Sequence, residues 1–538
     1  MLVIAMAVLV PAGETHAASS AGFPSGFEGY HDYAETTAAL AAAAEEHPGI
    51  LRRFSIGRSH EGREIWAVKI SDNVATDESE PEVLMDSLHH AREHLTVEMA
   101  LRVIDLLTDN YRANPANIQS QLERRVTNIV RSREIWILPM VNPDGGEYDL
   151  SGQDGQFMNW RRNTQPIDET AAPGIDLNRN WGFKWGCCGG SSGKPGTSTF
   201  RGEYAWQAPE VAALRDFVLG RVVRGRQQIR AAISWHAFNE EIMWPYGYTT
   251  ADLPRTMSPD DLVAFQAIGH GMAALNGYVA QQLSDLYVLD GGASDWLYGD
   301  QRIFAFLVEM YPTDGSDAGG FYPLDTVITR ETERNDEMVL YFLENADCPY
   351  RAAGLGVTHC GSLNDDFETT RGWRLNSGGS DTATIGTWER ATAQESRSST
   401  GIKQRAYGYS GATSLVTGAL RGASVSANDV DGGVTSAESP SIGLGAPGSI
   451  GWTLAFRYTF AHNSAATAAD YLRISVNGTP VFTQVGNRAS RNAVWAPVTV
   501  SLDTFAGQSV RILVSAADLG SDSLVEAAID DVRVYRVP

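Results

Sequence analysis

His90 and Glu93 stand three residues apart inside the string His89-His90-Ala91-Arg92-Glu93-His94. On a tight turn entering a helix, that spacing aims an imidazole and a carboxylate at one ion. A catalytic zinc takes three protein ligands of these types and keeps a fourth position open for water. His236, which ends the run Ile233-Ser234-Trp235-His236, is the candidate third ligand. Glu309 follows the apolar run Phe304-Ala305-Phe306-Leu307-Val308. An acid in a core strand is anomalous for packing and points to function. These residue types together would perform metal-assisted hydrolysis.

Such residues can meet only if secondary structure brings them to one place. Alternating or apolar runs predict strands at Arg53–Ile56, Glu64–Ile70, Val83–Ser87, Ile135–Val141, Ala231–Trp235 and Ile303–Met310. Helical periodicity predicts helices at Asp32–Glu46, Thr96–Tyr111, Pro209–Val223, Asp260–Leu275 and Thr329–Asn345. The alternation implies an α/β domain with a mixed sheet flanked by helices. Sites in such sheets lie at the carboxyl ends of strands, and His90, His236 and Glu309 fall at or just beyond predicted ends.

Further motifs follow in order: Asn142-Pro143-Asp144-Gly145, Trp160-Arg161, Asp176-Leu177-Asn178-Arg179-Asn180-Trp181, Trp244-Pro245-Tyr246-Gly247-Tyr248, Tyr287, and Gly291-Gly292-Ala293-Ser294-Asp295-Trp296. With the histidines and Glu309, this series resembles the zinc metallocarboxypeptidase family typified by pancreatic carboxypeptidases A and B. The resemblance covers roughly residues 30–345. It implies zinc held by His90, Glu93 and His236, with Glu309 as the general base that activates water and then protonates the leaving amine. It assigns Arg161 to the oxyanion, and Asn178 with Arg179 to the C-terminal carboxylate of the substrate. Arg92 assists further from the zinc, and Tyr287 caps the substrate. Asp176 is expected to orient a ligand or position its loop, Arg162 to be solvated, and His89 and His94, which lack a properly spaced carboxylate, to be structural neighbours of the ligands.

The same carry-over lines the pocket for the terminal side chain with Met243, Gly247, Leu289, Gly292, Ser294 and Leu307. Members resembling carboxypeptidase B have Asp where this chain has Ser294. Without that charge a basic terminus would be buried unpaired, so a neutral or hydrophobic terminal residue is expected. Asp290 adjoins the pocket and could restore basic specificity. Phe238 departs from the family's Tyr, and no activation prodomain is evident between the amino terminus and the catalytic match.

The chain has 538 residues and a net charge of −23, which argues against nucleic acid or an anionic membrane as partner. Residues 1–18 resemble a secretory signal peptide, so a secreted protein is expected, and it is expected to be a monomer. Four cysteines then make disulfides plausible: Cys348 with Cys360 in a small loop, and Cys187-Cys188 as a vicinal bridge or with separate partners. The catalytic domain is expected over residues 19–347 and a linker over 348–362. Residues 363–538 are rich in Gly, Ser, Thr and Ala, with short alternating runs and an Asn477-Gly478 hairpin signal. They read as an all-β, jelly-roll-like sandwich that could bind glycan or protein. Asp365, Asp366, Asp429, Asp431, Asp530 and Asp531 are candidates for Ca²⁺ there. The expected substrates are peptide or protein C-termini. The rivals are an amidase or deacylase acting on cell-wall peptides, a non-catalytic binding protein, and an adhesion protein dominated by its β module.

Overall fold

The computed structural model describes residues 22–538 except 79, 168–171, 224, 316–318, 360–362, 369, 445–450, 520–522 and 538. The predicted signal peptide and Cys360 therefore lie outside the described residues.

The catalytic half is built on one eight-stranded sheet. Its strands in chain order are β1 (Leu51–Arg58), β2 (Glu64–Ile70), β3 (Glu82–Ser87), β4 (Glu134–Leu138), β5 (Ile229–Ala237), β6 (Glu241–Trp244), β7 (Val279–Gln282) and β8 (Phe304–Met310). They lie side by side in the order β1-β2-β4-β3-β5-β8-β6-β7. The central neighbours β4, β3, β5 and β8 run parallel, β1 pairs antiparallel with β2 and β2 with β4, and β6 pairs antiparallel with β8 but parallel with β7, so the sheet is mixed.

Helices cover both faces, which explains why β3, β4, β5 and β8 read as near-continuous apolar runs. Alternate side chains still divide between two cores. Val83, Met85, Ile233 and Phe306 pack with the helices Leu95–Asn110, Pro259–Asn276 and Asp336–Asn345. Leu84, Ala232 and Ala305 pack with Trp181, Val211, Leu214 and Trp296 on the other face.

Local sequence accounts for most boundaries. The helix Tyr33–Glu46 starts in a capping box of Asp32 and Glu35. The helix Gln121–Val130, absent from the periodicity reading, starts in another, made by Ser120 and Glu123. β4 stops at Leu138, short of the predicted Val141, because Asn142 caps the next helix, Pro143–Asp149. The single helix predicted over Thr329–Asn345 is two helices, Ile328–Glu333 and Asp336–Asn345. Asn335 between them donates its side-chain amide to Glu331 O at 2.8 Å and accepts from Asn276 Nδ2 at 2.9 Å. Its side chain thus competes with helical continuity at that point.

From Leu363 onward the structure is all β. A six-stranded and a five-stranded antiparallel sheet share one core that includes Leu454, Phe456, Ile474, Val514 and Ile529. Asn477 and Gly478 take φ of 47° and 79° at the tip of the pair Tyr471–Val476 and Thr479–Val485. Positive φ at both central residues is what a two-residue hairpin requires. The segment expected as a linker is folded onto the catalytic half: Tyr350 stacks on His359 at 3.9 Å, and His359 Nε2 lies 2.7 Å from Asp260.

The β region touches the catalytic half at the loop leading into β3. Tyr409 donates its hydroxyl to Asp72 at 2.7 Å, and Arg457 pairs with Glu80 at 2.9 Å. Those contacts lie where β3 begins, whereas the histidines follow its end. Six residues of strand, about 20 Å, separate the two positions.

The carboxylates expected to gather around Ca²⁺ do other work. Asp365 accepts from Phe367 N–H and the Trp373 indole, Asp530 from the Tyr409 and Ser410 N–H groups, and Asp429 from Val525 N–H. Among the described residues, the carboxylate and histidine groupings compact enough for a metal include none from the β region.

Candidate metal centre and carboxylate receptor

β3 ends at Ser87, and Leu88 then takes φ of 54°. A left-handed leucine is a strained turn, and it swings the following residues across the sheet end. His90 and Glu93 occupy that turn, immediately before the helix Leu95–Asn110. Thr96 ties the turn down, donating to Glu93 O at 2.7 Å and accepting Leu88 N–H at 3.1 Å.

His236 comes from the end of β5. His90 Nδ1 lies 2.7 Å from Glu93 Oε1, and His236 Nδ1 lies 3.0 Å from Glu93 Oε2. The two Nδ1 atoms are 3.2 Å apart. All three residues are buried, and their donor atoms fall within 4.8 Å of one another. Burial opposes ionisation of Glu93, but His90 and His236 outweigh it and hold the carboxyl well below its usual range. Burial lowers the pKa of the His236 imidazole. Two imidazoles and a carboxylate are the residue types of a catalytic zinc donor set.

The surrounding residues leave the inner atoms of that set free for a metal. His90 Nε2 lies 3.2 Å from Asp176 Oδ1 and His236 Nε2 lies 3.3 Å from the Ser234 hydroxyl, so both outer nitrogens face polar partners. Asp176 also receives Arg161 Nε at 3.0 Å and Asn178 N–H at 3.0 Å. Burial resists its charge, yet Arg161 and Arg179 keep it ionised far below the normal carboxylate range. One residue thus orients a histidine, holds Arg161 and shapes the loop of the carboxylate receptor.

Glu309 is beside His236 in the parallel register of β8 and β5. It is 9% exposed, and its Oε2 has no hydrogen-bond partner. Burial, and then the charge of Glu93, push its pKa well above the ordinary value.

Arg179 is held from behind. Its Nε donates to Gly190 O at 3.0 Å and one Nη to Asn178 O at 2.8 Å. The Asn178 side chain accepts Ala293 N–H at 2.9 Å. Gly291 closes the gap: at φ 68°, a Cβ there would sit 2.4 Å from Arg179 O. Tyr287, 45% exposed, has its ring 5.7 Å from the Arg179 guanidinium. Arg92 lies over Phe321 at 3.8 Å and donates to Asn159 at 3.0 Å.

Met243, Leu289 and Leu307 form one apolar cluster, which Leu283, missed in the sequence, completes. Ser294 is buried with its hydroxyl unpartnered. Asp290 is fully engaged elsewhere: it accepts Cys188 N–H at 2.8 Å, Gly190 N–H at 3.0 Å and the Ser191 hydroxyl. Its role is to fasten the loop around the Cys187–Cys188 disulfide. Cys348 is also disulfide-bonded.

Two expectations fail. Arg162 is not solvated; it is 5% exposed, donates to Thr197 O at 3.0 Å and lies over Trp160 at 4.7 Å. His89 and His94 do have carboxylate neighbours, Asp86 at 3.6 Å and Asp149 at 3.0 Å. Asp86 was findable, because an acid inside Val83-Leu84-Met85-Asp86-Ser87 is the same anomaly that marks Glu309. Asp149 and Asp295 carried no such signal. Asp295 accepts the Gly247 and Tyr248 N–H groups at 2.8 and 3.0 Å, and burial pushes its pKa up to about 7.

Comparison with known proteins agrees with this geometry. The family model Peptidase_M14, zinc carboxypeptidase, matches residues 36–338. A zinc carboxypeptidase of Saccharothrix mutabilis subsp. capreolus is 48% identical over 332 residues, covering 62% of this chain and 73% of the relative. Carboxypeptidase A1 of Bos taurus is 28% identical over 288 residues, covering 53% of this chain and 63% of the relative. The crystal structure of carboxypeptidase A from Helicoverpa armigera superposes with a TM-score of 0.50 at 26% identity, covering 61% of this chain and 75% of that one. With the family model spanning more than half of the sequence, the chain belongs to the zinc carboxypeptidase family.

Proposed function

We propose that this carboxypeptidase holds zinc on His90, Glu93 and His236 and removes single C-terminal residues from peptides and proteins outside the cell. Zinc in such a donor set supplies Lewis acidity and acidifies a water. Glu309 takes the proton and returns it to the leaving amine, and its unpartnered Oε2 is the oxygen available to do so. Arg161, fixed by Asp176, faces the developing oxyanion. Arg179 and Asn178 receive the terminal carboxylate, and Tyr287 covers it. The apolar cluster of Met243, Leu289 and Leu307, with Ser294 where a basic-specific enzyme would have Asp and with Asp290 engaged by the disulfide loop, favours a neutral or hydrophobic terminal side chain.

The observation that carries the reading is the unpartnered Glu309 oxygen beside a compact two-histidine, one-carboxylate cluster. The Cys187–Cys188 disulfide supports an oxidising, extracellular setting.

The test is a peptide library, free or amidated at the C-terminus, followed by mass with and without a chelator. Loss of single residues from free-acid peptides alone, abolished by the chelator, is expected. Equal cleavage of amidated peptides would overturn the reading.

A further inference from the structure

The two histidines of the cluster are braced differently. His90 Nε2 faces a carboxylate directly, Asp176 Oδ1 at 3.2 Å. His236 Nε2 faces the Ser234 hydroxyl at 3.3 Å, two residues back on β5. Residues two apart on a strand share a face, so this contact is built into the strand. Ser234 in turn donates to Asp86 Oδ1 at 2.6 Å. Asp86 and Ser234 are direct neighbours in the parallel register of β3 and β5. All three residues are buried, beyond the reach of bulk water.

Proton counting gives this chain a direction. A hydroxyl has one proton and two lone pairs. The short contact, 2.6 Å against 3.3 Å, assigns the Ser234 proton to Asp86. The lone pairs then face His236 Nε2 and His89 Nδ1, the latter also at 3.3 Å. His236 can satisfy its outer contact only by carrying its proton on Nε2. That leaves Nδ1 bare toward His90 and Glu93, which is the tautomer a metal needs. With the hydroxyl reversed, the His236 proton would lie on Nδ1, inside the donor set.

We infer that Asp86 and Ser234 are positioning residues for the metal centre, a carboxylate–hydroxyl relay that fixes the tautomer and ring pose of His236. The inference rests on His90, Glu93 and His236 being the zinc ligands. Neither residue touches substrate. Their effect is on how tightly and in what geometry the metal is held, while the carboxylate receptor around Arg179 stays as it is.

The experiment uses the full chain, stripped and reloaded. Zinc affinity is measured by competition with a chromophoric chelator, and ligand geometry by the visible spectrum of the cobalt(II) form. Ser234→Ala and Asp86→Leu are expected to weaken zinc by about 10-fold or more and to shift the cobalt bands. Ser234→Thr keeps the hydroxyl and is expected to hold zinc within about twofold of the parent, a difference well below that loss. KM for a free-acid peptide should change little in zinc-saturated Ser234→Ala. Parent-like zinc affinity and cobalt spectrum in Ser234→Ala would overturn the relay alone. A parent that takes up no zinc would overturn the ligand assignment beneath it. If Asp86→Leu fails to fold, the Ala and Thr variants at Ser234 still decide.

Discussion

Glu309 and His236 are paired residues in the parallel register of β8 and β5, so a candidate base and a candidate metal ligand share one face of one sheet. The distance between them is set by strand spacing, about 4.8 Å, and not by any loop. A rigid sheet end holds such a pair with little freedom to drift.

Glu309→Gln tests the base. The amide keeps the shape of the side chain but cannot take a proton. Zinc content should stay at one per chain, while kcat falls by about 10³-fold. Measured metal content alongside single-turnover kinetics checks this, and parent-like turnover would remove Glu309 from the role.

Arg179→Lys tests the receptor. Lysine keeps the charge but loses the planar fork and the contact to Gly190 O. We expect kcat/KM for free-acid peptides to drop by roughly 100-fold, most of it in KM. An unchanged preference for free acids over amides would place carboxylate recognition elsewhere.

Ser294→Asp tests the pocket. Its hydroxyl is buried and unpartnered, and Asp290 is already committed to the disulfide loop. The parent should favour C-terminal Phe or Leu over Arg by at least about tenfold, because a buried cation would lack a partner. The variant should reverse that order. A parent preferring Arg contradicts the pocket reading.

Glu80 gives a pH prediction at the contact between the two halves. Burial, then Glu78, push its pKa up to about 8, outweighing Arg457. A carboxyl raised above its unfolded value binds more protons in the folded state, so stability falls as pH rises from about 4.5 towards 8. Glu80→Gln should therefore raise the melting temperature at pH 8.5, by an amount equivalent to at most about 5 kcal/mol, and change little below pH 4.5. A difference that does not vary with pH would contradict it.

The sequence alone identified the parts whose signal is local. His90 and Glu93 are legible from spacing, Glu309 from an acid in an apolar strand, and the order of motifs from the chain itself. Strand and helix periodicity gave the central strands because burial on both faces demands long apolar runs. Long-range placement decided the rest. Asp290 adjoins the pocket in sequence, yet three donors from the 188–191 loop consume its carboxylate. Asp86 and Ser234 lie 148 residues apart and meet only because β3 and β5 are neighbours in the sheet. Residue type states what a side chain can donate or accept, but only the folded chain settles which of those capacities are already spent.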